Sequence, residues 1–388
     1  MSVIPLCGSA QNERLENIMK FKITQPELNK ALNFVSKAVT SRSTMPVLKG
    51  ILMKVTSEGK LIMTASDMDL SIEKTVPVTD FEEGSVVLPA KLFTDVIRKL
   101  PDENITVTLG DYNNVSIKTA LSEFKIIGMM SDEFPEIGTV NETRKIKINR
   151  DTFREMIRKT SFAASVDESK GVIVGVLMEM REGTINMAAL DGFRMAVSTE
   201  SSDNEQNTDI IISARILNEI SKIIAESDED DEDIELIMDD KKAVIFTRDS
   251  RIILRMMDGN FLKYRDLLPK SFRTTVNVDK NLLINSIERA SLFAKEGRNN
   301  LIKLSVSDGN LQITSKSEAG TVDENIPVKK NGDDIEIGFN SKYLLDGIKV
   351  IKEDDIVLNF NTNVTPCIIE PLEGNNFTYL LLPVRIMA

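Results

Sequence analysis

The amino-acid sequence predicts an α+β fold built from three tandem domains, each with two helices packed on antiparallel sheets. Three observations support this prediction. A strand followed by a helix occurs three times along the 388 residues, a second helix recurs with it in the same order, and alternating apolar residues fill the rest of each interval. Similarity over a whole domain length indicates duplication of a complete unit rather than a short solenoid repeat.

The first repeated segment spans residues 86–101 and returns at 210–225 and 335–351. A short β-branched run ends a strand, and apolar residues at helical spacing follow until Pro101 closes the first copy. In the second copy, Ser213 is a candidate N-cap. The apolar stripes of the three predicted helices are Leu92, Phe93, Val96, Ile97 and Leu100; Ile216, Leu217, Ile220, Ile223 and Ile224; and Tyr343, Leu344, Ile348 and Ile351.

A second predicted helix repeats with the same pattern of apolar positions and measures the length of the repeat more accurately. Each copy follows a short alternating strand, at residues 21–23, 146–148 and 276–278. Equivalent apolar positions are offset by 125 and then by 130 residues. These positions are Leu28, Leu32, Val35 and Val39; Phe153, Ile157, Thr160 and Ala164; and Leu283, Ile287, Ala290 and Ala294.

Alternating apolar residues predict about eight strands in each domain. The predicted strands are 47–55, 60–65, 70–78, 86–88, 105–109, 115–119 and 124–129 in the first domain, and 172–180, 184–189, 195–199, 210–212, 234–238, 243–247 and 252–256 in the second. Linkers are expected at 139–145 and 270–274. The predicted division is an N-terminal extension over 1–18 and domains over 19–140, 145–270 and 275–388.

Composition narrows the class of protein. The chain has no Trp, no His and only 4 Tyr, so the cores must be aliphatic. Its two cysteines, Cys7 and Cys367, form neither a disulfide framework nor a metal-binding spacing, which indicates a reducing, cytoplasmic location. No apolar run approaches the roughly 20 residues of a membrane span. Residues 1–18 lack the basic flank of a signal peptide, and we expect an upstream start or a disordered tail without function.

The net charge of the chain argues against nucleic-acid binding, whereas the distribution of charge along the chain favours it. The chain carries −12 in total, whereas phosphate-binding proteins usually have a basic signature. Over the six repeated helices, 15 Lys or Arg stand against 7 Asp or Glu, so the helices carry +8 and the remainder −20. This pattern fits one basic helix face that lies near a polyanion and binds phosphates without reading sequence. The alternative is that these charges simply solvate exposed helices.

The order of segments resembles the bacterial DNA polymerase III beta subunit, the sliding clamp, from Met19 almost to the last residue. The motifs that carry the resemblance are Met-Lys-Phe at 19–21, Ser-Arg-Ser-Thr-Met-Pro-Val-Leu at 41–48, Ala-Leu-Asp-Gly-Phe-Arg-Met-Ala at 189–196, Tyr-Arg-Asp-Leu-Leu-Pro at 264–269 and Tyr-Leu-Leu-Leu-Pro-Val-Arg at 379–385.

The resemblance implies a ring-shaped homodimer of DNA-clamp repeats that encircles double-stranded DNA with its helices lining the hole. The two subunits would meet head to tail, the first domain of each against the third domain of the other. The implied role is that of a processivity factor without catalytic residues or cofactors. Its implied partners are the DNA polymerase III alpha subunit, the clamp loader complex, and other polymerases and repair proteins with clamp-binding peptides.

Two basic residues occupy positions where the family contacts DNA. The resemblance assigns this role to Arg42, after the first helix, and to Lys170 in the segment 167–171. Each could instead be an exposed loop charge. Many relatives have an aromatic residue after the second position, whereas Gly171 and Val172 follow here, so a stacking contribution to DNA binding is not expected.

The resemblance also implies an apolar pocket between the second and third domains that takes an extended peptide from a partner. Taken singly, such residues are more often ordinary core. Phe193 stands where a histidine is common and Leu262 where a proline is common, which predicts an altered peptide preference, and Met195 allows adaptation to several ligands. The implied lining is Ile173, Leu190, Gly192, Phe193, Arg194, Met195, Leu262, Leu267, Leu380, Leu382, Pro383 and Val384.

Other motifs favour structural roles. The acidic run at 226–233 lacks calcium-loop spacing and is predicted to be a solvated loop that also explains the longer second offset. The usual nucleotide-binding and metal motifs of enzymes are missing from the sequence, and Asp191-Gly192 between two strands is first a turn rather than a catalytic acid. The alternative function is a repeat-built adaptor that binds proteins through the same pocket but does not encircle DNA.

Overall fold

Each repeat of the sequence folds into antiparallel strands and two helices. The structure, a computed structural model, describes residues 19–40, 43–181, 183–204, 207–226, 233–374 and 376–386. Apolar alternation buries one face of many of the strands: in Asn104–Leu109, for example, Ile105, Val107 and Leu109 are buried between partly exposed Thr neighbours.

The three repeats follow one order of elements, except that the described residues of the second form four strands between its two helices rather than five. The first contains β1 (Lys20–Thr24), α1 (Gln25–Val35), β2 (Gly50–Val55), β3 (Lys60–Ser66), β4 (Leu70–Pro77), β5 (Thr79–Glu82), β6 (Gly84–Pro89), α2 (Ala90–Lys99), β7 (Asn104–Leu109), β8 (Asn114–Lys118) and β9 (Glu123–Ile127). The second contains β10 (Arg144–Asn149), α3 (Arg150–Thr160), β11 (Gly175–Arg181), β12 (Thr184–Leu190), β13 (Arg194–Ser201), β14 (Thr208–Ser213), α4 (Ala214–Glu226), β15 (Asp233–Met238), β16 (Lys242–Phe246) and β17 (Ser250–Arg255). The third contains β18 (Thr274–Asp279), α5 (Lys280–Ala294), β19 (Leu301–Ser307), β20 (Asn310–Ser317), β21 (Gly320–Pro327), β22 (Lys329–Gly332), β23 (Ile335–Asn340), α6 (Ser341–Lys349), β24 (Asp355–Phe360), β25 (Cys367–Pro371) and β26 (Phe377–Leu381).

The described residues form two compact units. One comprises the residues up to Thr139 together with Phe246–Ile253, and its sheets have the orders β5-β1-β7-β8-β9 and β17-β4-β3-β2-β6. The other comprises Val140–Ile245 and the residues from Leu254 onward. Its sheets have the orders β10-β15-β16, β14-β11-β12-β13-β26-β25-β24-β18-β22 and β21-β20-β19-β23.

The helices pair within each repeat and pack on equivalent strands. Helices α1 and α2 are neighbours, as are α3 with α4 and α5 with α6. The first helix of each pair lies on a hairpin: α1 on β3 and β4, α3 on β12 and β13, α5 on β20 and β21. Leu28, Phe153 and Leu283, equivalent by the sequence offsets, are all fully buried. The predicted combination of two helices and antiparallel sheets in each repeat is confirmed.

Some predicted boundaries and burial assignments are wrong for local reasons. The predicted strands at 47–55 and 172–180 begin as 3-10 helices, Pro46–Lys49 and Glu168–Val174, because an apolar run alone does not distinguish the two conformations. Val39 lies beyond the helix in extended conformation, and Leu92 is 53% exposed on the outer side of α2. The equivalence of the two 3-10 starts shows that the repeat extends to irregular segments.

A glycine inside α6 allows this helix to lie against the last strand. A Cβ at Gly347 would meet the Tyr379 ring at 2.2 Å, far inside van der Waals contact. The ring is fully buried and its hydroxyl donates to the Tyr343 carbonyl oxygen at 2.8 Å, so it has no room to move. Close packing between helix and strand therefore depends on the missing side chain at this position.

We expect Gly347→Ala to destabilise the chain although alanine is the better helix former by about 1 kcal/mol. Overpacking against Tyr379 should outweigh that gain and lower the free energy of unfolding by about 1–3 kcal/mol. Thermal melting measures the difference. Gly110→Ala is the control, because a Cβ there meets only the Asn114 carbonyl oxygen at an ordinary 3.6 Å. Equal melting temperatures for the two variants would contradict the packing argument.

A buried lysine binds the segment Phe246–Ile253 into the first unit. Lys74 on β4 has an 11% exposed side chain, and its ammonium donates to both carboxylate oxygens of Asp249 at 2.8 Å and to the Ser250 hydroxyl at 3.3 Å. The same nitrogen lies 4.6 Å from the centre of the Phe34 ring. Burial raises the pKa of the Asp249 carboxyl, but the hydrogen bonds from Lys74 and Ser250 outweigh burial and hold the pKa below its ordinary value.

This lowered pKa predicts an acid-dependent contribution to stability. Because the Asp249 pKa is lower in the folded state, the ion pair stabilises the fold above the unfolded Asp pKa of about 3.9 and the contribution is lost as pH falls through the folded value. We therefore expect Asp249→Asn to lower the melting temperature at pH 7 and to match the unmodified chain near the acid limit. A difference that does not change with pH would contradict this linkage.

Candidate peptide-binding site

A tight turn between β12 and β13 presents the first part of the predicted pocket. The Asp191 carboxylate accepts hydrogen bonds from the backbone N–H groups of Phe193 at 2.9 Å and Arg194 at 3.1 Å. Gly192 has φ +93°, a left-handed conformation that glycine adopts without strain. Asp191-Gly192 is thus a turn, and its carboxylate is occupied in holding Phe193 outward.

The last strand of the chain lies beside this turn. β26 pairs antiparallel with β13, so that Leu380 is opposite Met195. One residue beyond the strand, the Leu382 N–H donates to the Phe193 carbonyl oxygen at 2.9 Å. Backbone hydrogen bonds therefore fix the positions of residues that are far apart in the sequence.

The predicted apolar residues divide into a buried floor and an exposed rim. Leu190, Met195 and Leu380 belong to one buried cluster, against which the half-buried Ile173 packs. The rim residues are exposed, as is Gly192, and Pro383 is half-buried; we call this floor and rim together the groove. The exposed fractions are 55% for Phe193, 52% for Leu262, 50% for Leu267 and 38% for Leu382.

Val384 is placed differently from the other predicted pocket residues. Its N–H donates to the Gly338 carbonyl oxygen of β23 at 2.8 Å, which attaches the C-terminal segment to the four-stranded sheet. Val384 also lines a separate cavity of about 540 Å³ with Leu301 and Val322. In this structure Val384 attaches the C-terminal segment to β23, and its part in the predicted pocket stays a prediction.

Arg194 supports the groove from below rather than facing it as a free charge. Its guanidinium donates to the carboxylates of Asp191 at 3.0 Å and Asp346 at 2.6 Å and to the Phe162 carbonyl oxygen at 2.9 Å. It also lies 4.4 Å from the centre of the Tyr343 ring. All five residues belong to one half-buried network that joins β13 to α6.

Sequence reasoning missed Tyr343 and Asp346 as parts of this site. The Tyr343 ring stacks on the Phe193 ring with centroids 6.2 Å apart, so it extends the apolar rim. In the sequence, this helix entered only the measurement of the repeat and the count of helix charges. The available signal was Asp346 itself, an acidic residue beside the apolar stripe of α6, one helical turn from Tyr343.

A polar cavity of about 570 Å³ adjoins the groove at Leu262. The Glu179 carboxylate accepts hydrogen bonds from the Tyr264 hydroxyl at 3.1 Å and from the Arg265 guanidinium. The guanidinium of Arg265 lowers the pKa of the Glu179 carboxyl, and burial next to it raises the pKa of the Tyr264 phenol. This network fixes the segment 264–267 and therefore the position of Leu267.

Comparison with known proteins identifies the family. The chain matches the family models for the DNA polymerase III beta subunit, with the N-terminal domain at residues 19–138, the central domain at 147–263 and the C-terminal domain at 265–385. A beta sliding clamp of Staphylococcus aureus is 32% identical over 379 residues, which are 95% of this chain and 100% of that protein. The chain belongs to the DNA polymerase III beta subunit family.

Solved structures of the family agree with this fold. The crystal structure of a DNA polymerase sliding clamp from Bacillus subtilis has a TM-score of 0.89 at 30% identity, and the DNA polymerase III beta subunit of Thermotoga maritima has 0.89 at 28%. Each comparison covers 95% of this chain and 100% of the other. The predictions of three clamp domains and of a non-catalytic sliding clamp of DNA polymerase III in DNA replication are confirmed, and the adaptor alternative is not favoured.

Of the two predicted DNA contacts, one lies in the described part of the chain. Lys170 is exposed in the 3-10 helix that Asp167 caps through the Ser169 N–H at 3.1 Å. Gly171, with φ +64°, leaves open space where a side chain would be. Arg42 lies outside the described residues. Lys170 therefore has the exposure that a phosphate contact requires, and its role in DNA binding stays a prediction.

Three further expectations concern ions, membranes and the acidic run. Within the described ranges, no group of three or more His, Cys, Asp or Glu side chains is placed to hold a metal ion. In the same part of the chain, no helix is long and apolar enough to cross a membrane.

Positions 227–232 of the acidic run, residues 1–18 and Cys7 lie outside the described residues. Burial raises the pKa of the Cys367 thiol, which keeps it protonated at neutral pH.

Proposed function

We propose that the chain acts in the cytoplasm as a head-to-tail homodimer that closes a ring around duplex DNA and binds partners through the groove. The partners are the DNA polymerase III alpha subunit, the clamp loader complex, and other polymerases and repair proteins with clamp-binding peptides. The observation that carries this proposal is the open apolar groove between β13, β26 and the segment 264–267, because soluble proteins rarely leave such a surface uncovered without a partner.

The chemistry of the groove favours an extended apolar peptide. Buried Leu190 and Leu380 form a floor, while the rim of Phe193, Leu262 and Leu382 offers large side chains to a ligand. The backbone around the rim is already fixed by hydrogen bonds, so a peptide would bind without much ordering of the protein. Apolar anchors in such pockets usually contribute most of the binding energy.

Two free sheet edges support the head-to-tail dimer. Strand β9 forms one edge of the five-stranded sheet and carries Phe124, which is partly exposed, and Lys125. Strand β21 forms one edge of the four-stranded sheet and carries Asp323 and Glu324. An unpaired edge is a template for another strand, and pairing β9 of one subunit with β21 of its partner would close both sheets. The interface joins different patches, and two copies close into a ring when a half-turn relates them.

A ring explains processivity without tight DNA contacts. Topology holds the ring on DNA, so phosphate contacts can remain weak enough for sliding while release requires opening of the ring. The tethered polymerase then stays at a high effective concentration beside the primer end. The groove supplies the attachment, and the basic helices supply contacts that carry no sequence information.

Retention on circular DNA tests this proposal. After loading on nicked circular DNA, a closed ring should remain bound at high salt and should be lost when the circle is linearised, because phosphate contacts alone are salt-sensitive. Sedimentation should give about twice the chain mass of 43.3 kDa. Salt-sensitive binding that is the same on circles and linear DNA would overturn encirclement and favour the adaptor.

Removing the two assigned DNA contacts should weaken DNA association without dissolving the dimer. We expect Arg42→Ala with Lys170→Ala to lower affinity for duplex DNA and to reduce the salt slope of log K by about 2, since each lost phosphate contact changes it by about 0.9. Loading on nicked circles and sedimentation measure the two effects. A double variant that loads and binds normally would remove both assignments.

A further inference from the structure

Many basic side chains on the helices are held by carboxylates of the same helices. The acidic residue precedes its basic partner by three positions, an arrangement that suits the helix dipole. The basic heads remain partly exposed, so a second anion could still approach them. These pairs are Asp95–Arg98 on α2, Asp151–Arg154 and Glu155–Arg158 on α3, and Glu219–Lys222 on α4. A further pair joins two helices, between Glu288 of α5 and Lys349 of α6.

Glu155 is the most connected of these carboxylates. One of its oxygens accepts from the Arg158 Nε at 2.9 Å and lies 3.2 Å from the Lys352 ammonium. Arg158 also donates to the Val350 carbonyl oxygen at 2.7 Å, which ties α3 to the end of α6. Lys352 is 69% exposed, whereas the Glu155 side chain is 20% exposed. A single, mostly buried carboxylate thus restrains two basic side chains that are more exposed to solvent.

The restraint has a direct consequence for DNA binding. A cation in contact with a carboxylate has part of its charge neutralised and must give up that contact to bind a phosphate fully. Burial raises the pKa of Glu155, but Arg158 and Lys352 outweigh it and lower the pKa, so the carboxylate is ionised at neutral pH. Competition of this kind would weaken each phosphate contact without removing the positive surface that attracts DNA.

We propose that the carboxylates of the helix surface, foremost Glu155, set the strength of DNA contact by holding Arg158 and Lys352 away from full engagement with phosphates. This inference rests on the proposed encirclement of DNA, in which the helices face the duplex. Glu155 is a positioning residue, because it acts through its two basic partners and repels phosphate itself.

Substitution of the carboxylate by its neutral isostere tests the inference. In the full-length dimer, Glu155→Gln should bind a short linear duplex about threefold to tenfold more tightly at low salt, and its plot of log K against log[salt] should be steeper by about 1 to 2. Adding Lys352→Gln to the Glu155→Gln variant should make this salt slope shallower again by about 1. The ring should also leave the ends of linear DNA more slowly than the unmodified ring.

The matched control is Glu336→Gln. Glu336 lies on β23 and accepts from Lys303 of β19 at 3.2 Å, so the substitution makes the same charge change and breaks the same kind of ion pair on a sheet surface. It should leave the salt slope unchanged. Glu288→Gln on α5 is a second helix variant, with a half-exposed side chain, that should repeat the effect by releasing Lys349.

The outcomes separate the two proposals. Unmodified rings retained on closed circles, with Glu155→Gln and Glu288→Gln no different from Glu336→Gln, would overturn this inference and leave encirclement intact. Unmodified chains that leave closed circles at high salt would overturn encirclement and this inference with it. Retention combined with steeper slopes only for the helix variants is the expected result.

Discussion

Leu382→Asp should abolish stimulation of DNA polymerase III by this chain while leaving the proposed ring assembled. Leu382 is on the rim of the groove, and its N–H is fixed to the Phe193 carbonyl oxygen, so the substituted carboxylate would stay in the apolar groove. Burying a leucine side chain contributes about 1.5–3 kcal/mol, and an unpaired charge in its place adds a desolvation cost. We therefore expect peptide affinity to fall by at least about a hundredfold.

The measurement is the length of primer extension on loaded circular DNA, with titration of a clamp-binding peptide from the polymerase alpha subunit as the direct readout. Leu372→Asp is the matched control, because it replaces an exposed leucine by aspartate at a position away from the groove. Leu372 is 45% exposed and follows β25 directly. The control should retain stimulation. Normal processivity of the Leu382 variant would refute the assignment of the groove.

Arg194→Ala should cause the largest loss of stability among substitutions at the site. Its side chain is only 10% exposed and neutralises Asp191 and Asp346, so its removal leaves two carboxylates and the Phe162 carbonyl oxygen without this donor. Breaking a buried ion pair by removing one partner costs about 3 kcal/mol or more. For a domain of this size, we expect the melting temperature to fall by about 6–12 °C.

A second arginine provides the comparison for this stability effect. Arg181 pairs with Asp209 at 2.6 Å, but both side chains are more than a third exposed. Exposed ion pairs contribute about 0–1 kcal/mol, so Arg181→Ala should melt within a few degrees of the unmodified chain. If the two variants melt alike, the network around Arg194 does not stabilise the fold as its geometry indicates.

Repetition made most of the fold predictable. A single strand-and-helix pattern is ambiguous, but three copies at fixed offsets identify the helices through equivalent positions such as Leu32, Ile157 and Ile287, all of which are buried. Errors occurred where the local pattern is the same for two conformations. The apolar residues after Pro46 suit a strand and a 3-10 turn equally well, and only the surrounding structure distinguishes them.

The groove was predictable only in part. Family resemblance supplied the rim and floor, and the structure places Leu190, Met195 and Leu380 in one buried cluster, while their role in peptide binding stays a prediction. The support beneath them was not predicted, because the Arg194 and Asp346 side chains meet across 152 positions of sequence. Helix charge was likewise visible in composition, but its partial neutralisation by Glu155 depends on the placement of two further residues.

The groove is formed by a single chain, which matters for the design of inhibitors of peptide binding. Its described lining comes from β12, β13, β26 and the segments 168–174, 191–193, 262–267 and 382–383, all within one compact unit, and backbone hydrogen bonds join the strands. A small molecule that competes for this surface would therefore meet the same walls on a separated protomer as on an assembled ring. Inhibitor screening could use a monomeric variant, without DNA, loader or polymerase.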